Sequence, residues 1–116
     1  MAIDLFAGLP VTDFDTALAW YRKLFGADPS FYPHDIEAVW ELGRHCYVYI
    51  EQVPDRAGGS MHMVMVDDIR AVAAAISERG LEPARVETFE GMRRVIFRDP
   101  DGNEVSYGGM AAEDPN

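Results

Sequence analysis

Val11-Thr12-Asp13-Phe14, followed by Ala17 and Tyr21, returns as Val66-Asp67-Asp68-Ile69, followed by Val72 and Ile76. Each residue of the second stretch lies 55 positions after its counterpart. A fixed period near half the chain length marks two copies of one supersecondary unit. In the first copy Asp13 stands where a helix N-cap belongs, and Phe14, Ala17, Leu18, Tyr21, Leu24 and Phe25 follow at spacings of three and four. Gly26 suits the C′ position and Pro29 bars continuation. In the second copy Asp67 or Asp68 caps a helix carrying Ile69, Val72, Ala73 and Ile76, with Gly80 just beyond it.

Extended segments surround both helices. The first copy has strands expected over Ile3–Val11, about Pro29–Pro33, Ile36–Leu42 and His45–Val53, with Gly43-Arg44 as a hairpin signal. The second has Met61–Val66, Leu81–Thr88, Met92–Arg98 and Glu104–Gly108, the last two joined by the turn Asp99-Pro100-Asp101-Gly102-Asn103. Each copy therefore reads strand, helix, three strands, which predicts an α+β fold of two βαβββ repeats. The repeats cover about residues 3–53 and 61–109 of a single domain over residues 1–110. Pro54 to Ser60 is the linker between them, and residues 111–116 are expected to be a frayed tail.

Composition narrows the function classes. Of 116 residues, 48% are apolar and 26% charged, an ordinary globular balance. Cys46 is the only cysteine, so no intrachain disulfide can form, which fits a reducing cytoplasm. The N-terminus has no signal-peptide pattern, and no apolar run approaches the ~18 residues of a membrane span. A formal net charge of −10 repels phosphate backbones, so neither nucleic acid nor membrane is an expected partner, whereas a cationic ligand would be attracted.

With these elements placed, the chain resembles the vicinal oxygen chelate superfamily, which comprises glyoxalase I, bleomycin resistance proteins and extradiol dioxygenases. The resemblance is carried by Pro10-Val11-Thr12-Asp13-Phe14 leading to Ala19-Trp20-Tyr21 and Leu24-Phe25-Gly26, by Val66-Asp67-Asp68-Ile69, and by Arg98-Asp99-Pro100-Asp101-Gly102-Asn103 before the last strand. It implies two curved mixed sheets cupped around a cleft, often with a divalent metal at its base, and commonly a homodimer. Whether the repeats pair within one chain or across two stays open. The metal ligands of chelating relatives, His, Glu or Gln, correspond by the resemblance to Phe6, Met61 and Ser106 and, through the repeat offset, to Glu51. A phenyl ring cannot coordinate, a thioether is too soft for magnesium, manganese or zinc, and a neutral hydroxyl is a weak anchor. This set argues for no metal and no cofactor. His62 is next to Met61, but strand alternation turns it to the opposite face with Val64 and Val66.

The same alternation presents Phe6, Gly8 and Pro10 from the first strand, Tyr47, Tyr49 and Glu51 from the fourth, Met61, Met63 and Met65 from the fifth, and Glu104, Ser106 and Gly108 from the last. The candidate ligand-binding residues are Phe6, Tyr47, Tyr49, Glu51, Met61, Met63 and Ser106. Tyrosines offer flat faces, methionines conform to irregular apolar groups, and Glu51 can neutralise a cation. These features suggest a metal-free protein resembling bleomycin resistance proteins, which sequester cationic aromatic drugs. The alternatives are a metal-dependent lyase, isomerase or dioxygenase using Glu51 and a swung-in His62, or a scaffold whose pocket is filled. No catalytic residue is assigned. By parity Trp40 is expected to pack under a helix, and Cys46, sharing a face with Val48, to be an inert core thiol.

Overall fold

The computed structural model describes residues 1–111. Its elements run β1 (Leu5–Val11), α1 (Phe14–Phe25), β2 (Phe31–His34), β3 (Glu37–Gly43), β4 (Cys46–Gln52), a 3-10 turn at Pro54–Arg56, β5 (Met61–Met65), α2 (Ile69–Glu78), β6 (Arg85–Phe89), β7 (Met92–Arg98) and β8 (Glu104–Met110). They form two four-stranded sheets ordered β1-β4-β3-β2 and β5-β8-β7-β6. In both, the first strand pairs parallel with the last, and the other neighbours are antiparallel. This is the expected pair of βαβββ units in an α+β fold, and neither sheet closes into a barrel. Among the described residues no helix is long and apolar enough to cross a membrane.

Each helix begins where its aspartate allows. The Asp13 carboxylate accepts from Thr16 N at 2.9 Å, and Asp68 accepts from Ala71 N at 3.0 Å. Its hydrogen bonds with Thr16 hold the Asp13 carboxyl below its ordinary pKa. The apolar stripe of α1 buries Phe14, Ala17, Tyr21 and Leu24, and α2 buries Ile69 and Ile76. Trp40 lies in the core as expected and donates its indole N–H to Ala27 O at 3.0 Å. One core cluster spans both units, joining Leu9, Val11, Val48 and Ile50 to Val95, Phe97, Val105 and Tyr107.

Three expectations need correcting. The strand expected from Leu81 starts only at Arg85, because Glu82-Pro83 interrupts the ladder after Leu81 has entered the core. The last strand continues past Gly108 to Met110, which pairs with Met92. Cys46 is exposed rather than a core thiol. It pairs with Leu5 at the end of the first sheet, and the core starts two residues further in, at Ala7 and Val48. The expected tail lies outside the described residues from position 112 onward; Ala111 N still donates to Gly91 O.

The two units are joined by polar contacts around the turn before β8. Asp99, 5% exposed, accepts from Tyr21 Oη at 2.8 Å and from the backbone and side-chain nitrogens of Asn103, both at 2.9 Å. Asn103 is fully buried and also donates to Pro10 O at 2.7 Å, while its Oδ1 accepts from Gly58 N and Ser60 N. Asp101 accepts from Thr12 N at 2.9 Å. From the C-terminal end of α2, Arg79 donates to Lys23 O and Leu24 O in the last turn of α1. Gly26 is needed beside it twice over. Its φ is +70°, and a Cβ would fall 2.7 Å from the Arg79 guanidinium carbon.

Burial, and then the Asp99 carboxylate, raise the Tyr21 phenol far above the ordinary tyrosine value. The unfolded chain therefore ionises first. Tyr21's contribution to stability is whole below the unfolded value of about 10 and is lost as pH rises beyond it. Tyr21→Phe removes a hydrogen bond to a buried charge and is expected to cost about 1.5–3 kcal/mol at neutral pH. In urea melts the deficit relative to wild type should shrink as pH is raised above the ordinary tyrosine range.

Candidate functional site

The faces of the two sheets turned away from the helices carry the predicted site residues. On the first sheet, register places Phe6 beside Tyr47, Gly8 beside Tyr49 and Pro10 beside Glu51. On β3, Glu41, Val39 and Glu37 lie opposite Tyr47, Tyr49 and Glu51 in turn. The rings of Phe6 and Tyr47 stack with centroids 4.3 Å apart and 6° between planes. The Tyr49 ring lies across bare backbone, since a Cβ on Gly8 would fall 2.6 Å from its Cζ. A cleft of about 450 Å³ opens beside it, lined by Gly8, Pro10, Tyr49 and Glu51 together with Arg56 and Ser60 of the linker region. Neither the Glu51 nor the Arg56 side chain has a hydrogen-bond or ion-pair partner among the described residues.

The second sheet carries the rest, and none of it lines that cleft. Met61, Met63 and Met65 stand in a row at 69%, 48% and 58% exposure. Met63 and Met65 lie over Gly108, whose missing side chain gives them room. Ser106, by contrast, is fully buried. Its hydroxyl accepts from Arg94 Nε at 3.1 Å and lies 3.4 Å from His62 O. Within the chain, then, Phe6, Tyr47, Tyr49 and Glu51 share one face, and Met61, Met63 and Ser106 share another.

Sheet pairing also revises one equivalence between the repeats. Ser106 pairs with Met63, and 55 residues before Met63 is Gly8, whose partner is Tyr49. The counterpart of Ser106 is therefore Tyr49. The constant offset leads to Glu51 instead because the segment between first and last strand is two residues longer in the second unit. Glu51 sits two positions further along β4, at the cleft.

Sequence reasoning gave no role to Arg94. Its guanidinium reaches Ser106, Glu104 Oε2 at 3.0 Å and Glu87 Oε1 at 3.3 Å. Arg85 holds the other oxygen of Glu87 at 3.0 Å, and Arg98 holds the other oxygen of Glu104 at 3.5 Å. Three arginines and two glutamates thus form a ladder across this face. Period-two alternation along β7 puts Arg94 and Arg98 on the same side as Ser106, and that was the available signal.

These residues do not fit a divalent metal. The Ser106 hydroxyl is already bonded to a cation, and Phe6, Tyr49 and Met61 offer neither carboxylate nor imidazole. His62 points to the opposite side of β5, with Nε2 2.8 Å from Gly8 O. Among the described residues no three His, Cys, Asp or Glu side chains are grouped as metal ligands.

The comparisons agree with this fold. Residues 2–107 match the family model of the Glyoxalase/Bleomycin resistance protein/Dioxygenase superfamily, and the chain belongs to that superfamily. It is 48% identical to a glyoxalase/bleomycin resistance protein from Catenulispora acidiphila, over 94% of this chain and 99% of that one, with a TM-score of 0.92. Two more distant structures share the fold. A lactoylglutathione lyase from Agrobacterium tumefaciens is 21% identical over 93% of this chain and 92% of that one, with a TM-score of 0.74. TnmS3, an antibiotic binding protein from Streptomyces sp. CB03234, is 21% identical over 96% and 98%, with a TM-score of 0.71. No curated protein sequence matches this chain.

Burial, with the Glu41 and Asp4 carboxylates adding to it, raises the Tyr47 phenol above its ordinary value. The Phe6 ring is stacked on that phenol ring. Phe6→Ala is expected to lower the pH at which Tyr47 ionises, read by ultraviolet titration of the phenolate. The stability cost should be about 1 kcal/mol, since Phe6 is 46% exposed and mainly the stacking contact is lost.

Proposed function

We propose that this protein binds a small aromatic or amphipathic molecule bearing a cationic group, and does so without a metal. The observation that carries the reading is the Glu51 carboxylate, without a partner among the described residues, in a cleft floored by the Tyr49 ring, next to the Phe6–Tyr47 stack. Tyr47 and Tyr49 offer ring faces, and Glu51 neutralises the cation. Net charge supports the same sign of ligand, because a chain of −10 concentrates cations near its surface. That TnmS3 is an antibiotic binding protein is compatible with a drug-like guest on this fold and with a role in antibiotic resistance.

Matched probes test this. Proflavine is a planar aromatic cation, and acridine is its nearly neutral analogue at slightly alkaline pH. Proflavine is expected to raise the melting temperature and acridine to do so less, since ligand bound only by the native state adds about 2.7 kcal/mol at a hundred times its Kd. Glu51→Gln should weaken proflavine roughly tenfold, the loss of one charged contact, and leave acridine unchanged. Equal shifts from both probes, or none from either, would refute the reading.

The working unit is proposed to be a cytoplasmic homodimer. Phe6, Met61, Met65, Phe89 and Met110 are 46–73% exposed, an apolar surface that water disfavours. The first sheet's bare face carries Glu37, Glu41 and Glu51, whereas the ladder on the second has one more arginine than glutamates. Opposite charge favours setting the first sheet of one copy against the second sheet of another, which would bring Met61, Met63 and Ser106 to the aromatic cleft. Light scattering should give twice the 13.0 kDa chain mass, and Met61→Glu combined with Met65→Glu should give a single chain.

A further inference from the structure

We propose that Arg94 is the resident cation of the second sheet: its guanidinium fills the oxygen-lined seat at Ser106, Glu104 and Glu87 and thereby keeps divalent metals out. This does not rest on the ligand reading of Glu51, which concerns the other sheet. The geometry is specific. A guanidinium has five N–H donors in a rigid plane, and here its three nitrogens address three different oxygens. Glu104 is only 9% exposed at its side chain, so its charge needs a partner held in place. A metal approaching the same oxygens would meet a fixed positive charge at hydrogen-bond distance from each of them.

The seat would remain if the guanidinium were removed. Arg98 engages Oε1 of Glu104, and Arg85 engages Oε2 of Glu87. The oxygens Arg94 holds, Glu104 Oε2 and Glu87 Oε1, are the other two. Taking away Arg94 therefore frees one oxygen of each carboxylate and the Ser106 hydroxyl, all facing the same vacated space. Hard oxygen donors of this kind, completed by water, suit manganese(II) or magnesium.

The test is a manganese(II) titration followed by the loss of the free ion's paramagnetic resonance signal. It is run on wild type, Arg94→Lys, Arg94→Met, Glu104→Gln and the Arg94→Met/Glu104→Gln double variant. Wild type and Arg94→Lys are expected to bind no more manganese than Glu104→Gln, which sets the background from surface carboxylates. Arg94→Met is expected to gain one saturable equivalent, roughly tenfold tighter than any binding by the double variant. If circular dichroism shows Arg94→Met unfolded, Arg94→Ala, which also leaves Ser106 free, takes its place with the same expectation. Wild-type binding that Glu104→Gln abolishes would overturn the proposal. So would a folded Arg94 variant that gains no site.

Discussion

The buried carboxylate of Asp99 is the constraint on which the arrangement of the two units depends. Among the described residues it has no ion-pair partner within 4 Å, and it is held instead by the Tyr21 hydroxyl, both nitrogens of Asn103 and Asp101 N. Charge-assisted hydrogen bonds of this kind are stronger than neutral ones, and each leaves a costly unsatisfied group if broken. Asn103 extends the network to β1 through Pro10 O and to the linker through Gly58 N and Ser60 N. One five-residue turn therefore fixes the first helix, the first strand and the linker relative to the second sheet.

That fixed arrangement leaves the bare faces of the sheets different in chemistry. The first is aromatic and acidic, with a Glu51 carboxylate that forms no ion pair among the described residues. The second is thioether and ionic, with three arginines laced onto two glutamates. A duplicated unit could present similar surfaces twice, and here the equivalent positions have diverged. Tyr49 on one sheet corresponds to Ser106 on the other, and the small hydroxyl leaves space that Arg94 fills.

The duplication, the helix caps and the succession of strands and helices along the chain were legible because each rests on local signals: aspartate caps, three-and-four spacing and alternation. The turn of His62 away from the methionine row and the burial of Trp40 followed from parity for the same reason. What escaped was set by partners distant in sequence. Asp99 to Asn103 read only as a turn, since nothing local says that Tyr21 and Pro10 lie against it. Cys46 had core parity, but parity does not tell where along a strand the core ends. The Glu51 equivalence failed because a constant offset assumes equal connection lengths, and only register exposes the two-residue difference. Arg94 was missed because the ladder needs three strands assembled before its charges meet.

The cap that Arg79 places on the end of α1 has a consequence for how the protein is made. The first unit leaves the ribosome with its helix carbonyls at Lys23 and Leu24 still waiting for a side chain more than fifty residues downstream. At ordinary rates of synthesis that wait lasts on the order of seconds. During it the nascent half must persist without its final lock, and its maturation is tied to translation of the second half.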